Sequence, residues 1–141
     1  MPRSKKPLGT IDVELLIADQ PTRNHRIYPK PLIEKLAADI NTKPITIEEV
    51  SPLERKLKKV PVCYSWPEHA MATSTKAEVV DNRLMVSFDI KNNKYGTLLK
   101  KSFEAGVGFM PVGIGDEDEN GVVTDYTVSY VAIDAGGNGT N

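Results

Sequence analysis

Few residues of this chain of 141 can carry chemistry, and they are scattered. His69 stands in Ser65-Trp66-Pro67-Glu68-His69-Ala70-Met71. An imidazole beside a carboxylate titrates near neutrality and suits general-base work. An ordinary surface histidine is the plainer reading of the same residues. His25 lies in a polar loop and reads as structural. Cys63 is the only cysteine, so no intramolecular disulfide forms, which fits a reducing compartment. A Cys63–His69 metal or thiol site has no second cysteine pair to support it.

Two further stretches invite a ligand. Gly106-Val-Gly-Phe-Met-Pro-Val-Gly-Ile-Gly115 has the glycine density of a phosphate loop. Such a loop needs Lys and then Ser or Thr after its last glycine, and here Asp116 and Glu117 follow, which repel phosphate. A dinucleotide fingerprint needs a helix at this point, whereas the pattern reads as a strand. The remaining reading is that Gly106 stops a helix and Gly108, Gly113 and Gly115 mark bends or a close backbone approach. In Asp116-Glu-Asp-Glu-Asn-Gly121, Asp116, Asp118, Asn120 and Gly121 match the first half of a calcium loop. The twelfth position should be a bidentate Glu and is Thr127. A solvated hairpin tip closed by Asn120-Gly121 is the better account. No metal and no cofactor are expected.

The surrounding pattern supplies the elements that must hold these residues. Ile11, Val13, Leu15 and Ile17 alternate with polar residues over 10–18, a half-buried strand. Pro31 in a first turn and the stripe Leu32, Ile33, Leu36, Ala37 and Ile40 predict a helix over 30–40. A short helix is expected over about 52–58 after an ambiguous stretch from Ile45. Two β-rich runs flank Asp81-Asn82 and predict a hairpin. A second full helix spans 92–105 with Leu98, Leu99 and Phe103 inward, then a strand from Val107 and a long final strand to Asp134. The expected class is α+β: a mostly antiparallel sheet or barrel with two packed helices. The expected organisation is an extended arm (1–9), one domain (10–135) and a glycine-rich tail (136–141). A net charge of −1 argues against bulk capture of nucleic acid, although Arg3, Lys5 and Lys6 make a small basic arm. No apolar run approaches the ~18 residues of a membrane helix, and no signal-peptide core follows the basic start, so a soluble protein assembled inside a cell is expected, with no membrane partner.

Asn24-His-Arg-Ile-Tyr-Pro29 followed by a helix sharpens this. The segment resembles the one near the N-terminus of tailed-phage prohead maturation proteases, which reads Asn-x-Arg-x-Tyr-Pro before a helix. Asn24, Arg26, Tyr28 and Pro29 are the matching residues. In that family a loop histidine acts in catalysis, and His69 stands in the matching place. A hairpin, a helix ending in glycine and a further strand follow in both, and the final strand carries an aspartate. The order of elements matches from about Thr10 to Ala135.

One departure decides what the resemblance implies. The family carries its nucleophilic serine, typically Ser-Ser-Arg-Gly, on the strand after the second helix, and here Met110, Pro111 and Val112 occupy that place. None has a hydroxyl or thiol that could attack a carbonyl. Ser102 and Ser129 lie elsewhere. The resemblance therefore implies a non-catalytic virion protein, a decoration or cement protein on the assembled head. Its partner would be the major capsid protein, with self-association on the shell and the basic arm Arg3, Lys5, Lys6 as a contact. The head would assemble in the host cytoplasm. The alternative is an active maturation protease with His69 as base and Asp134 or Asp125 as orienter. A regulatory or scaffold-binding protein of the same origin is a third class.

Overall fold

The structure, a computed structural model, describes residues 6–22, 25–49, 52–61 and 64–134. Arg3, Lys5, Asn24 and Cys63 lie outside the described residues. Strand β1 (Gly9–Ile17) follows the foreseen alternation at Ile11 and Val13, but a register shift between Glu14 and Leu16 buries both Leu15 and Leu16 and leaves Ile17 half-buried. Helix α1 (Lys30–Thr42) starts at Pro29–Pro31, buries Leu32, Ile33, Leu36, Ala37 and Ile40, and runs two residues beyond the predicted end. Strand β2 (Thr46–Glu48) and helix α2 (Pro52–Leu57) come next. A single 3-10 turn (Pro67–His69) leads directly into β3 (Ala70–Val80). Asp81 and Asn82 both take positive φ, at 50° and 64°, and close the hairpin to β4 (Arg83–Ile90) as a primed turn does. Helix α3 (Lys94–Glu104) is capped by Asn93, whose side chain accepts from the Gly96 N–H at 2.8 Å, and Gly106 (φ 85°) ends its last turn. Strands β5 (Gly108–Glu117) and β6 (Val123–Asp134) complete the chain.

The strands form one curled six-stranded sheet, a half-barrel, in the order β1-β4-β3-β2-β6-β5. All pairings are antiparallel except β2–β6. In-register partners share a face, so one face carries Ile11, Val13, Val86, Phe88, Ala72, Ile47 and Val131. The stripe of α1 and Leu99 of α3 pack with this face into one core. The opposite face of β1-β4-β3 is polar, with Thr10–Asp89, Asp12–Ser87 and Glu14–Arg83 joined across strands. That inside/outside division is the period-two pattern of an antiparallel sheet wet on one side.

Three expectations change. Strand β2 has too few residues to show any periodicity, and it supplies the one parallel pairing between the strands described. Leu98 and Phe103 are 43% and 39% exposed, so only Leu99 of the three is buried. At the acidic tip Asn120 does not take positive φ and Gly121 does (81°), so the turn is not primed. Asp118 organises it instead, its Oδ1 accepting from the N–H groups of Asn120 (2.8 Å) and Val122 (3.0 Å).

Because β2 is short, β3 has no strand partner beyond it. Helix α1 fills the place. Asn41 donates to the Ala77 carbonyl and accepts from the Ala77 N–H, both at 2.8 Å, as a strand residue would. Asn41→Ala leaves both groups of Ala77 unpaired, so a loss of about 1–3 kcal/mol is expected from urea denaturation. An unchanged midpoint would show that the amide is dispensable.

Candidate functional site

Register brings the sequence-selected residues to one line across the sheet. Ala70 faces Glu48, Glu48 faces Ala132 and Ala132 faces Met110, so β3, β2, β6 and β5 meet in a single row. His69 directly precedes the row's first member. Glu48, Tyr130, Met110 and Val112 share the outer face, opposite α1. Arg55, Ser65 and Trp66 cover the Glu48–Tyr130 part of this face, while Met110 at its edge stays 36% exposed.

Glu48 anchors that cover. It is fully buried, and its carboxylate accepts from the Thr46 hydroxyl (2.5 Å), the Ser65 hydroxyl (2.6 Å) and the Trp66 backbone N–H. Multiple donors are what a buried carboxylate requires. Arg55 of α2 is also buried. Its Nη1 donates to the carbonyls of Tyr64 (2.6 Å) and Pro61 (3.1 Å), while among the described residues Nε and Nη2 have no hydrogen-bond partner. Its guanidinium carbon lies 5.1 Å from the Tyr130 ring centre and 5.8 Å from that of Trp66, so aromatic faces take the place of a carboxylate. Sequence reasoning selected neither Glu48 nor Arg55.

The His69 ring lies between Trp66 (4.5 Å, 9° between planes) and Tyr95 (5.4 Å, 21°). Among the described residues no carboxylate pairs with it. Glu68 accepts from the Trp66 indole at 3.0 Å. Asp125 is exposed and sits with Lys35 (3.9 Å) seven residues before Ala132 on β6, so it is remote from the imidazole and cannot orient it. Asp134 is in register with Gly108, at the end of β6. Met110 is three strand spacings from Ala70, roughly 14 Å along the sheet. Ser102 lies on α3. Ser129 lies on β6 and lines a groove of about 770 Å³ with Ser65, Tyr64 and Thr46, whereas His69 does not line it.

The glycine-rich strand has a structural explanation. A Cβ on Gly113 would stand 2.0 Å from the Thr127 carbonyl oxygen, and one on Gly115 would stand 2.2 Å from that of Asp125. Backbone this close admits only glycine. Pro111 tolerates its place because β5 is a sheet edge. The loop before α1 ties into the same strand pair. Ile27 bridges to Val122, and the Arg26 Nε lies 3.4 Å from a Glu117 carboxylate oxygen. Pro29 caps α1, and Tyr28 is buried edge-on against Tyr126 at 5.5 Å. Burial raises the pKa of the Tyr28 hydroxyl, with the Arg26 cation partly offsetting it. Burial raises that of Tyr126 further, helped by its tyrosine neighbour.

The sequence matches no family model and no curated protein. The structure does align with a solved one, the capsid assembly protease of bacteriophage T4, at a TM-score of 0.67 and 21% identity. The alignment covers 87% of this chain and 80% of that one. The fold is prohead-protease-like. Within a prohead-protease-like fold the strand after α3 here presents Met110 and Val112 outward, and the loop before β3 presents a histidine stacked between aromatic rings.

Two measurements probe this construction. Glu48→Ala strands three donors and should cost at least about 2 kcal/mol, since hydrogen bonds to charged groups are the stronger kind. Trp66 is the only tryptophan, so its emission should shift with the same substitution. Unchanged stability and emission would mean that the cover stands without its anchor. For the tyrosines, a folded pKa above the unfolded value of about 10 means that unfolding releases protons at high pH. Their contribution is intact below pH ~10 and is lost as pH rises above it. Tyr28→Phe and Tyr126→Phe should flatten the alkaline fall in melting temperature. Tyr28→Ala should cost about 3 kcal/mol at neutral pH.

Proposed function

We propose that the chain is a non-catalytic phage head protein, a decoration or cement protein that binds the assembled shell. The observation that carries this is Met110-Pro111-Val112 on β5, where the prohead-protease pattern places its serine. Both outward side chains there are hydrocarbon or thioether, and neither is a nucleophile for a carbonyl. The surroundings support the same reading. The Glu48 carboxylate is engaged by three donors, and the His69 ring is held by stacking, with no acid behind it among the described residues. What remains is a folded domain whose edge strand β5 carries the exposed Met110 and Ile114.

A shell presents identical sites at fixed spacing, so modest contacts add through effective concentration. The basic arm with Arg3, Lys5 and Lys6 is proposed to pair with acidic shell surface, with Pro2 and Pro7 limiting the entropy lost on ordering. Lys6 is exposed just ahead of β1.

The test is co-sedimentation with empty shells and with unassembled capsid subunits. The full chain should pellet with shells and not bind free subunits. Deletion of residues 1–7 should weaken the binding and leave the melting temperature unchanged, because β1 begins at Gly9. No binding to shells rejects the decoration reading. Incubation with capsid precursor and scaffold should give no cleavage, and cleavage abolished by His69→Ala would establish the protease instead.

A further inference from the structure

The net charge of −1 conceals a strong segregation. Between Lys91 and Lys101 stand Lys91, Lys94, Lys100 and Lys101 with no acidic residue among them. All four are exposed, and among the described residues none has a carboxylate within ion-pair reach. On α3, Lys94, Leu98 and Lys101 follow one another at i, i+4 and i+7 and form one outward stripe, with Leu98 43% exposed between the two cations.

The opposite chemistry lies at the far end of β5. Met110, Val112, Ile114 and Asp116 alternate onto the outer face, and Ile114 is 65% exposed. Asp116 is directly opposite Asp125 in the ladder, a like-charge cross-strand pair that weakens the sheet. Glu117, Asp118 and Glu119 extend the acidity, and among the described residues only Arg26 and Lys35 pair with it, on Glu117 and Asp125. The acidic tip is eight residues along β5 from the strand's start, where α3 hands over to it, roughly 27 Å. The two surfaces therefore cannot meet within one molecule.

We infer that copies of this protein associate head to tail, the Lys94–Leu98–Lys101 stripe of one copy seating on the Ile114–Asp116–Asp125 face of the next. Leu98 covers the exposed Ile114, and Lys101 lies against Asp116 and Asp125, relieving a repulsion that the isolated chain retains. The two patches differ, so the contact is heterologous, and it builds rows or rings and not a two-fold dimer. That geometry suits a protein laid out in repeat on a lattice. The association belongs to the chain alone, so it stands or falls separately from shell binding.

Sedimentation velocity without shells is the test. At about 50 mM salt the weight-average sedimentation coefficient should rise with protein concentration, and near 1 M, where screening reaches ~3 Å, the rise should vanish. Asp116→Lys/Asp125→Lys reverses the acidic face and spares Asp118, which holds the turn. Lys94→Glu/Lys101→Glu removes the basic stripe. Each variant alone should lose association by more than about tenfold, because like charges then meet across the contact. Mixed, they pair their intact faces, and the two reversed faces are again opposite in charge, so the mixture should recover the association that neither variant shows alone. Unchanged melting curves confirm that both variants fold. A wild type that stays monomeric at low salt, variants that associate as the wild type does, or a mixture that stays monomeric would each overturn the inference.

Discussion

Two residues join this sheet. Among the described residues, Ile47 and Glu48 of β2 make the only strand pairing between the antiparallel half β1-β4-β3 and the antiparallel half β6-β5. Their side chains point to opposite faces, and both are fully buried. Ile47 belongs to the apolar core beneath α1. Glu48 anchors the cover on the other face through Thr46, Ser65 and Trp66. A bulge where Ile47 faces Ala72 and Glu48 faces Ala70 bends the join, which is how a sheet is made to curl. The curl, the seam that Asn41 fills and the seating of Ser65 and Trp66 on Glu48 all follow from this short parallel bridge.

The same geometry explains how such a frame could hold with no nucleophile on β5. The contacts that set the β5 backbone come from its partner and not from a serine. The carbonyls of Asp125 and Thr127 press on Gly115 and Gly113, and Tyr126 with Tyr28 closes the concave side. Met110 and Val112 point away from all of this. Their exchange with other residues leaves the packing beneath untouched, whereas a side chain at either glycine would collide with backbone.

Legibility in the sequence followed the length and periodicity of each element. The Asp81-Asn82 hairpin, β1 and α1 each show several turns or alternations, and local chemistry closes their ends. Strand β2 has three residues, and its parallel partner lies more than eighty positions later in the chain, so no local pattern betrays it. Glu48 stayed hidden for the same reason, since a glutamate beside a second glutamate reads as solvent-facing. Its donors come from tertiary structure. Arg55, in a run of basic residues, also reads as surface, and only the rings of Tyr130 and Trp66 explain its burial. On α3 the apolar residues are too many for one buried stripe. Gly96 sits so close to Lys91 that a Cβ would be 1.6 Å from its carbonyl oxygen, and this approach sets the helix rotation that leaves Leu98 outward. The motif Asn24–Pro29 was legible as a motif, but its role was not. Arg26, Tyr28 and Pro29 fasten a loop to the β5–β6 turn and start α1.

The outer face of the sheet divides the molecule's tasks. Over β1-β4-β3 it is a ladder of hydroxyl, carboxylate and guanidinium groups already paired with one another across the strands. Such a surface is well hydrated, and covering it would break contacts that are already made. Over β6-β5 the ladder gives way to Met110, Val112 and Ile114 on an edge strand, followed by carboxylates placed against one another. Natural sheets blunt their edges, and Pro111, the bulge at Val112/Gly113 and the terminal acids all do so here. They discourage indiscriminate strand addition while leaving the apolar side chains on the face exposed. A surface protected along its edge but left apolar and acidic on its face is selective in a definite way. It resists extended backbone and favours a side-chain partner with hydrocarbon flanked by cations. The two halves of the outer face therefore differ in kind: the β1-β4-β3 half is a hydrated ladder of groups already paired, and the β6-β5 half is an apolar face ending in unrelieved acids.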